Sequence, residues 1–362
     1  MSVIWADNFQ AYGDDEEALT AGIYAEVDGT TWITLVNDPD PLAAAGSRCI
    51  RYSGSNVNTS NKLVRFAFPA GPTATMGASL RIYCPALPTS DDKAFEIFSW
   101  RNISNSVLLV LEILTTGALR IRHSEGGTIL GTSVIPVITA DNWVHVEMKT
   151  LFSNTVGTTE VRVNGLEVSG LTLTDVDTIR TGTDVAAQVA FIQRARVTSV
   201  RQIYYIRDFI LWNTSGSQNN DFMGTLSIVN LYPDADTSFN WTASSGSTGW
   251  DLIDEVGPND TDFISADATP PAASVFALTN LPADIVGVRA LIPVNRTRKS
   301  DGGDGNVQVG VRSGTDTDQG ANTPVTTAFS YRWDVSELSA ATGVAYTPLE
   351  VNSVEYVINR TL

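Results

Sequence analysis

The sequence predicts an all-β protein built from two antiparallel β-sandwich (jelly-roll-like) domains in tandem. Short runs that alternate apolar and polar residues, bounded by Gly, Asn, Asp and Pro, recur from end to end, which is the pattern of half-buried antiparallel strands. Helical periodicity is confined to two brief stretches, "DDEEALTAG" and "DVSELSAATG". A length of 362 residues favours two domains over one, and 43% hydrophobic with 17% charged residues is a globular profile in which each half can bury a core.

Taken in order, the candidate strands of the first half are "SRCIRYSG", "NKLVRFAF", "ASLRIYC", "KAFEIFSW", "SVLLVLEIL" and "ALRIRHS", spaced as in a two-sheet sandwich. In "NWVHVEMKTLFSNTVGTTEVRVNGLEVSG", residues 142–170, Val144, Val146 and Met148 point one way and His145, Glu147 and Lys149 the other. Val161 and Val163 face inward, Asn164-Gly165 suits a type I′ turn, and Leu166 and Val168 begin the return strand. "VAFIQRA" follows, and then "RQIYYIRDFILW", apolar on both faces over Ile203 to Trp212, which reads as a central strand. The polar stretch "NTSGSQNND" interrupts at 213–221. It marks a boundary: a first domain over 1–212, a linker over 213–222 and an acidic β-sandwich domain over 223–362. In that second half the candidate strands include "TLSIVNL", "SFNWTA", "WDLID", "DFISA", "SVFALTNL", "IVGVRALIPV", "NVQVGVRSG", "AFSYRWDV" and "EVNSVEYVI", among 17 acidic and 7 basic residues.

Charge and cysteine usage exclude several functions. A net charge of −17, from 40 acids against 23 bases, repels phosphate backbones, so no nucleic-acid partner is expected. The basic group Arg296, Arg298 and Lys299 reads as a solvated turn beside balancing acids. Cys49 and Cys84 are too few for a disulfide framework and form no C-x-x-C pair, so two buried reduced thiols are expected. The amino terminus lacks the basic start and apolar stretch of an export signal, and "VLLVLEIL" is too short to span a bilayer. Synthesis in a cytoplasm and no membrane insertion are the corresponding expectations.

Two family resemblances emerge from these blocks. The run "DNWVHVEMKT…TTEVRVNGLEV" resembles the Trp-led strand and following V-x-V-N-G hairpin of concanavalin A-like and laminin G-like jelly rolls, over roughly residues 1–212. In the second half, "GSQNNDFMGTLSIVNLYPDADTSFNWTAS", "WDLIDEVGPNDTDFISA", "VRALIPVNRTRKSDGGDGNVQVGVRSG" and "VAYTPLEVNSVEYVI" together resemble, in their order, the carboxy-terminal part of structural proteins of tailed phages and prophages. Tyr346 stands where those proteins lead one to expect tryptophan. The resemblance implies a virion protein of a tail fibre or other appendage, made in the host bacterium, partnered by other virion proteins and forming a homo-oligomer. A capsid decoration protein is the structural alternative.

Catalytic signatures are sparse. Concanavalin A-like glucanases place carboxylates at alternate positions of one strand, E-x-D-x-x-E or E-x-D-x-E. That pattern is absent: Asp175/Asp177, Asp38/Asp40 and Asp316/Asp318 sit among turn residues, and "WDLIDE" scatters Asp251, Asp254 and Glu255 over both faces of a strand. No G-x-S-x-G, phosphate loop, dinucleotide fingerprint or H-E-x-x-H occurs, and His123 and His145 read as surface histidines. Loop aspartates in jelly rolls often hold calcium, but no spacing here selects ligands. The expectation is therefore no catalytic residue, no cofactor and no metal site: not an enzyme, with a glycan-degrading depolymerase as the alternative. For binding host carbohydrate, Trp100 with Arg101 and Asn102 is the candidate platform, an aromatic face flanked by polar groups. Against it stands a place for Trp100 in the core, and the same choice applies to Trp143, Trp212, Trp241 and Trp250.

Overall fold

The computed structural model describes residues 2–12, 23–24, 26–28, 33–40, 47–53, 62–69, 71, 73–89, 95–124, 127–180, 185–193, 203–267 and 272–361. The expected helical turn "DDEEALTAG" lies outside the described residues. The other, "DVSELSAATG", is irregular chain with a bridge from Ser336 to Leu291 and a turn at 340–342, and the helix of this region is one turn, α1 (Pro348–Val351). The protein is all-β and its sheets are antiparallel.

The first half contributes β1 (Val3–Asp7), β2 (Glu26–Asp28), β3 (Ile33–Asn37), β4 (Arg48–Ser53), β5 (Lys62–Ala67), β6 (Thr75–Tyr83), β7 (Phe95–Arg101) and β8 (Val107–Ile113). It continues with β9 (Leu119–Arg122), β10 (Ile129–Thr132), β11 (Trp143–Leu151), β12 (Gly157–Val163), β13 (Leu166–Val176), β14 (Gln188–Gln193) and β15 (Ile203–Asn213). Two sheets result. One runs β13-β12-β11-β6-β15-β4-β3, with β1 also on β15; the other runs β10-β9-β8-β7-β14-β5-β2. As its two-sided apolarity predicts, β15 is central: β6 flanks one edge, and β4 and β1 share the other. Between the sheets lies one continuous core that includes Trp100, Phe98, Phe191, Phe209, Tyr52 and Tyr204, each fully buried. The Asn164-Gly165 turn has positive φ at both residues, 50° and 80°, as a type I′ hairpin requires. Cys49 and Cys84 are free and buried, and burial pushes the Cys84 thiol up to about 12.

The second half contributes β16 (Pro233–Ser238), β17 (Thr242–Ala243), β18 (Ile264–Ser265), β19 (Ser274–Leu278), β20 (Val294–Thr297), β21 (Asn306–Ser313), β22 (Asp316–Gln319), β23 (Thr323–Pro324), β24 (Ser330–Trp333) and β25 (Glu355–Thr361). Its main sheet runs β16-β19-β25-β21-β22, with β23 also on β21, and the pairs β17-β18 and β20-β24 are separate ribbons. Several expected strands take other forms. "WDLID" is a 3-10 turn at Trp250–Leu252 because the Asp236 carboxylate accepts the Gly249 and Trp250 N–H groups and draws the chain into a bend. "TLSIVNL" pairs with no strand; its polar groups are met instead by side chains of the first half. Arg81 donates to the Leu226 carbonyl at 3.2 Å, and the Ile228 N–H donates to Asp208 at 3.2 Å.

The halves are joined through side chains rather than ladders. Glu337 accepts the Ser2 and Val3 N–H groups at 2.6 and 3.0 Å. From the β20-β24 ribbon, Trp333 lies 4.8 Å from Trp5 and Tyr331 lies 5.1 Å from Tyr12, ring to ring. On the outer face of the eight-stranded sheet, Trp212 is fully buried beside Met223, Ile210 and Val335. It fits because Gly77, its ladder partner, has no side chain: a Cβ there would meet the Trp212 ring at 2.1 Å. Gly77→Ala is therefore expected to lower stability by about 1–3 kcal/mol through overpacking, measured by urea unfolding, whereas Gly71→Ala, with open space but φ of 77°, tests backbone strain alone.

Candidate functional site

The outer face of the eight-stranded sheet collects polar and aromatic side chains in ladder rows. In the first row Trp143 (β11) pairs with Tyr83 (β6), Tyr83 with Tyr205 (β15), Tyr205 with Arg51 (β4), and Arg51 with Thr34 (β3). Their neighbours Val144, Ile82, Tyr204, Ile206, Ile50 and Tyr52 belong to the core, so alternation turns the whole row outward. Tyr83 lies 5.7 Å from Trp143 and 5.8 Å from Tyr205, ring to ring, and all three rings are half-buried.

Polar groups fix these rings. Asp38 accepts the Trp143 indole N–H at 3.1 Å and pairs with Arg207. Arg207 in turn lies over the Trp143 ring, 4.5 Å from its centroid, a geometry that contributes about 0.5–2 kcal/mol. The Tyr83 hydroxyl donates to Asp141 at 3.2 Å. Asp38 is nearly inaccessible, its side chain 1% exposed.

Beneath this row a second one places His145 opposite Arg81 and Arg81 opposite Arg207. A bulge in β15 supplies the counter-charge. The register slips by one residue between Arg207 and Ile210, and Asp208 takes φ of 52°, which re-aims its side chain. The Asp208 carboxylate then lies 3.6 Å from both Arg81 Nε and Arg207 Nε. A third row holds Glu147, between Arg162 and Ser79. Glu147 is fully buried and its Oε1 accepts the Met223 and Gly224 N–H groups at 3.1 and 3.2 Å. Next to it Phe222 is held between Arg162 and Lys149, 4.0 and 4.7 Å from its ring centroid.

Two of these groups have displaced acidities. Burial pushes the Glu147 carboxyl up to about 7, against the pull of its two N–H donors. Burial, and then the Arg81 charge, hold His145 down at about 4, so its imidazole is neutral near pH 7. Both His145 ring nitrogens are buried without a hydrogen-bond partner.

The residues expected to form a site lie elsewhere. Trp100 is fully buried, packed edge-on against Phe68, Phe98 and Phe152. Arg101 and Asn102 are 4% and 7% exposed, Arg101 donating to Ser99 and Asn105 and Asn102 accepting the Ser106 N–H. The core place for Trp100 prevails, because its strand is covered on both faces, and the triplet presents no ring to a sugar. Trp212 is likewise enclosed, Trp241 and Trp250 pack on the second sheet, and Trp143 alone of the weighed tryptophans joins an open aromatic row. His123 is buried, its Nδ1 3.0 Å from the Leu108 carbonyl, and His145 is 2% exposed; neither is a surface histidine. Among the described residues no three His, Cys, Asp or Glu side chains gather as a metal site, and no helix is long and apolar enough to cross a membrane.

No family model matches the sequence, and no curated protein matches it. Solved structures similar to it include the binding domain of Paraclostridial Mosquitocidal Protein 1, at 15% identity over 58% of this chain and 48% of that one, TM-score 0.37. A second is the catalytic domain of the glycoside hydrolase family 131 protein from Coprinopsis cinerea, at 16% identity over 58% and 94%, TM-score 0.37. A third is alginate lyase vAL-1 from Chlorella virus, at 13% identity over 58% and 99%, TM-score 0.36. The expectation that the chain is not an enzyme is corrected. It rested on the lack of sequence motifs for converging acids and bases, whereas the solved structures similar to this chain include a hydrolase catalytic domain and a lyase.

The two shifted groups act on stability in opposite directions. Glu147, raised from 4.5, keeps its proton in the folded state after the unfolded chain has lost it, so its contribution falls as pH rises from about 4.5 to 7. His145, lowered from 6.5, refuses a proton that the unfolded chain accepts, so its contribution rises with pH from about 4 to 6.5. Melting temperatures followed from pH 4 to 8 are expected to show Glu147→Gln gaining on the parent as pH rises and His145→Gln losing on it.

Proposed function

We propose that this chain engages glycans on the outer face of its eight-stranded sheet. The observation that carries the reading is the row Trp143–Tyr83–Tyr205, three half-buried rings on neighbouring strands at 5.7 and 5.8 Å. Sugar rings present apolar C–H faces that stack on such platforms and hydroxyl edges that need acceptors and donors beside them. Asp141 supplies an acceptor at one end of the row and Arg51 supplies donors at the other. On the resemblance of its second half, we assign the chain to a phage tail fibre or other appendage, as a homo-oligomer that contacts host surface glycan; a decoration protein of the head is the rival, separated by mass spectrometry of purified heads and tails.

A second reading, glycan cleavage, is favoured by His145. Its neutral imidazole has both ring nitrogens free, one row from Tyr83 and opposite Arg81. A nitrogen of that kind takes a proton from a sugar carbon or hydroxyl once the ring, 2% exposed in the free protein, is uncovered as glycan binds. Incubation of the chain with bacterial polysaccharides, followed by assays for reducing ends and for unsaturated products, distinguishes it: product that disappears in His145→Gln supports cleavage, and intact polysaccharide that is nonetheless retained by the protein supports binding alone.

For the binding reading, Tyr83→Ala and Tyr205→Ala are each expected to weaken glycan binding by at least about tenfold, the value of one lost stacking contact of about 1.4 kcal/mol. Retention on a glycan array and titration calorimetry check this, with an unchanged melting temperature as the control for folding. Full retention of binding in both variants rules the row out.

A further inference from the structure

We propose that the glycan taken by this row bears a carboxylate, and that Arg51 selects it; the inference rests on the glycan-binding reading of the same face. Among the described residues Arg51 makes no hydrogen bond, ion pair or ring contact, and its Nε is shut off from solvent without a partner. It is half-buried and turned outward, because Ile50 and Tyr52 on either side lie in the core.

The other arginines of the face are engaged. Arg81 meets Asp208, the Leu226 carbonyl and Ser227; Arg207 meets Asp38 and Trp143; Arg162 meets Glu160 and Phe222. The nearby acids are committed as well: Asp38 and Asp208 to Arg207 and Arg81, Asp141 to the Tyr83 hydroxyl. Arg51 is thus a cation left over at one end of an aromatic row, in a chain whose net charge is −17. A guanidinium offers five N–H donors in a planar fork that matches the two oxygens of a carboxylate, and such paired, charge-assisted bonds are stronger than those to a neutral hydroxyl.

The dimensions suit an oligosaccharide. From Trp143 to Arg51 the row crosses three inter-strand steps of about 4.8 Å, or about 14 Å in all. A hexuronate-containing chain lying along it sets its ring faces on Tyr83 and Tyr205 and one carboxylate against Arg51. The overall negative charge of the protein does not prevent this, since charges farther away than about 8–10 Å are screened at ordinary ionic strength.

The experiment uses the intact chain and titrates oligogalacturonate, oligomannuronate and oligoglucuronate, each beside the same oligosaccharide with its carboxyls reduced to alcohols. At least one acidic form is expected to bind about tenfold more tightly than its reduced partner, the margin set by one charge-assisted pair. Arg51→Gln weakens the acidic form more than the reduced form and so abolishes that margin, Arg51→Lys keeps part of it, and added salt narrows it. Equal binding of acidic and reduced forms, with both lost in Tyr205→Ala, overturns the acid selection and leaves the glycan reading in place. A margin that survives Arg51→Gln overturns the role of Arg51. Binding of neither form overturns the selection and the reading together.

Discussion

The architecture depends on how the polar side of one sheet is satisfied away from water. An eight-stranded sheet with an apolar inner face must present His145, Glu147, Arg81, Asp208 and Arg207 on the other, and much of that face is covered by residues 221–228. Buried ionisable groups are costly unless paired and hydrogen-bonded. The covering segment meets the requirement: its N–H groups at 223, 224 and 228 are donated to Glu147 and Asp208, and its Leu226 carbonyl accepts from Arg81. Those exchanges stand in for the ladder partners that the segment lacks. They also leave the first row of the sheet uncovered, and there the aromatic side chains gather.

The bulge at Asp208 is the local device that makes this possible. Without the extra residue, β15 would keep strict alternation past Arg207 and the carboxylate would not be aimed between two guanidinium groups. Removing one charge from such a cluster leaves the others uncompensated, so Arg81, Arg207, Asp38 and Asp208 behave as a unit rather than as separable pairs. The rigid indole of Trp143, bonded to Asp38 and lying under Arg207, inherits its orientation from that unit.

Much of the fold was legible in the sequence, and the site was not. The stripe of Val144, Val146 and Met148, the Asn164-Gly165 turn and the two-sided apolarity of β15 all reflect local periodicity, which a linear reading captures. In the second half "TLSIVNL" and "WDLID" have the same stripe, yet their backbones are satisfied by Arg81, Asp208 and Asp236 from elsewhere in the chain, a contest that periodicity does not record. Trp100 misled for a related reason: an aromatic beside Arg and Asn resembles a platform in one dimension, while its strand lies between covered faces. Tyr83, Trp143, Tyr205 and Arg51 are far apart in the chain and become neighbours through ladder register alone. The available signal was weaker: each stands next to a core residue on its strand.

The ribbon β20-β24 carries Tyr331 and Trp333 into contact with Tyr12 and Trp5, so one surface of the first half's core is finished by residues more than 300 positions away. The two halves are therefore poor candidates for recombination as interchangeable cassettes. A gene exchange that replaced the carboxy-terminal part would have to bring two aromatic rings of matching size and tilt, and drift in either partner is constrained by the other.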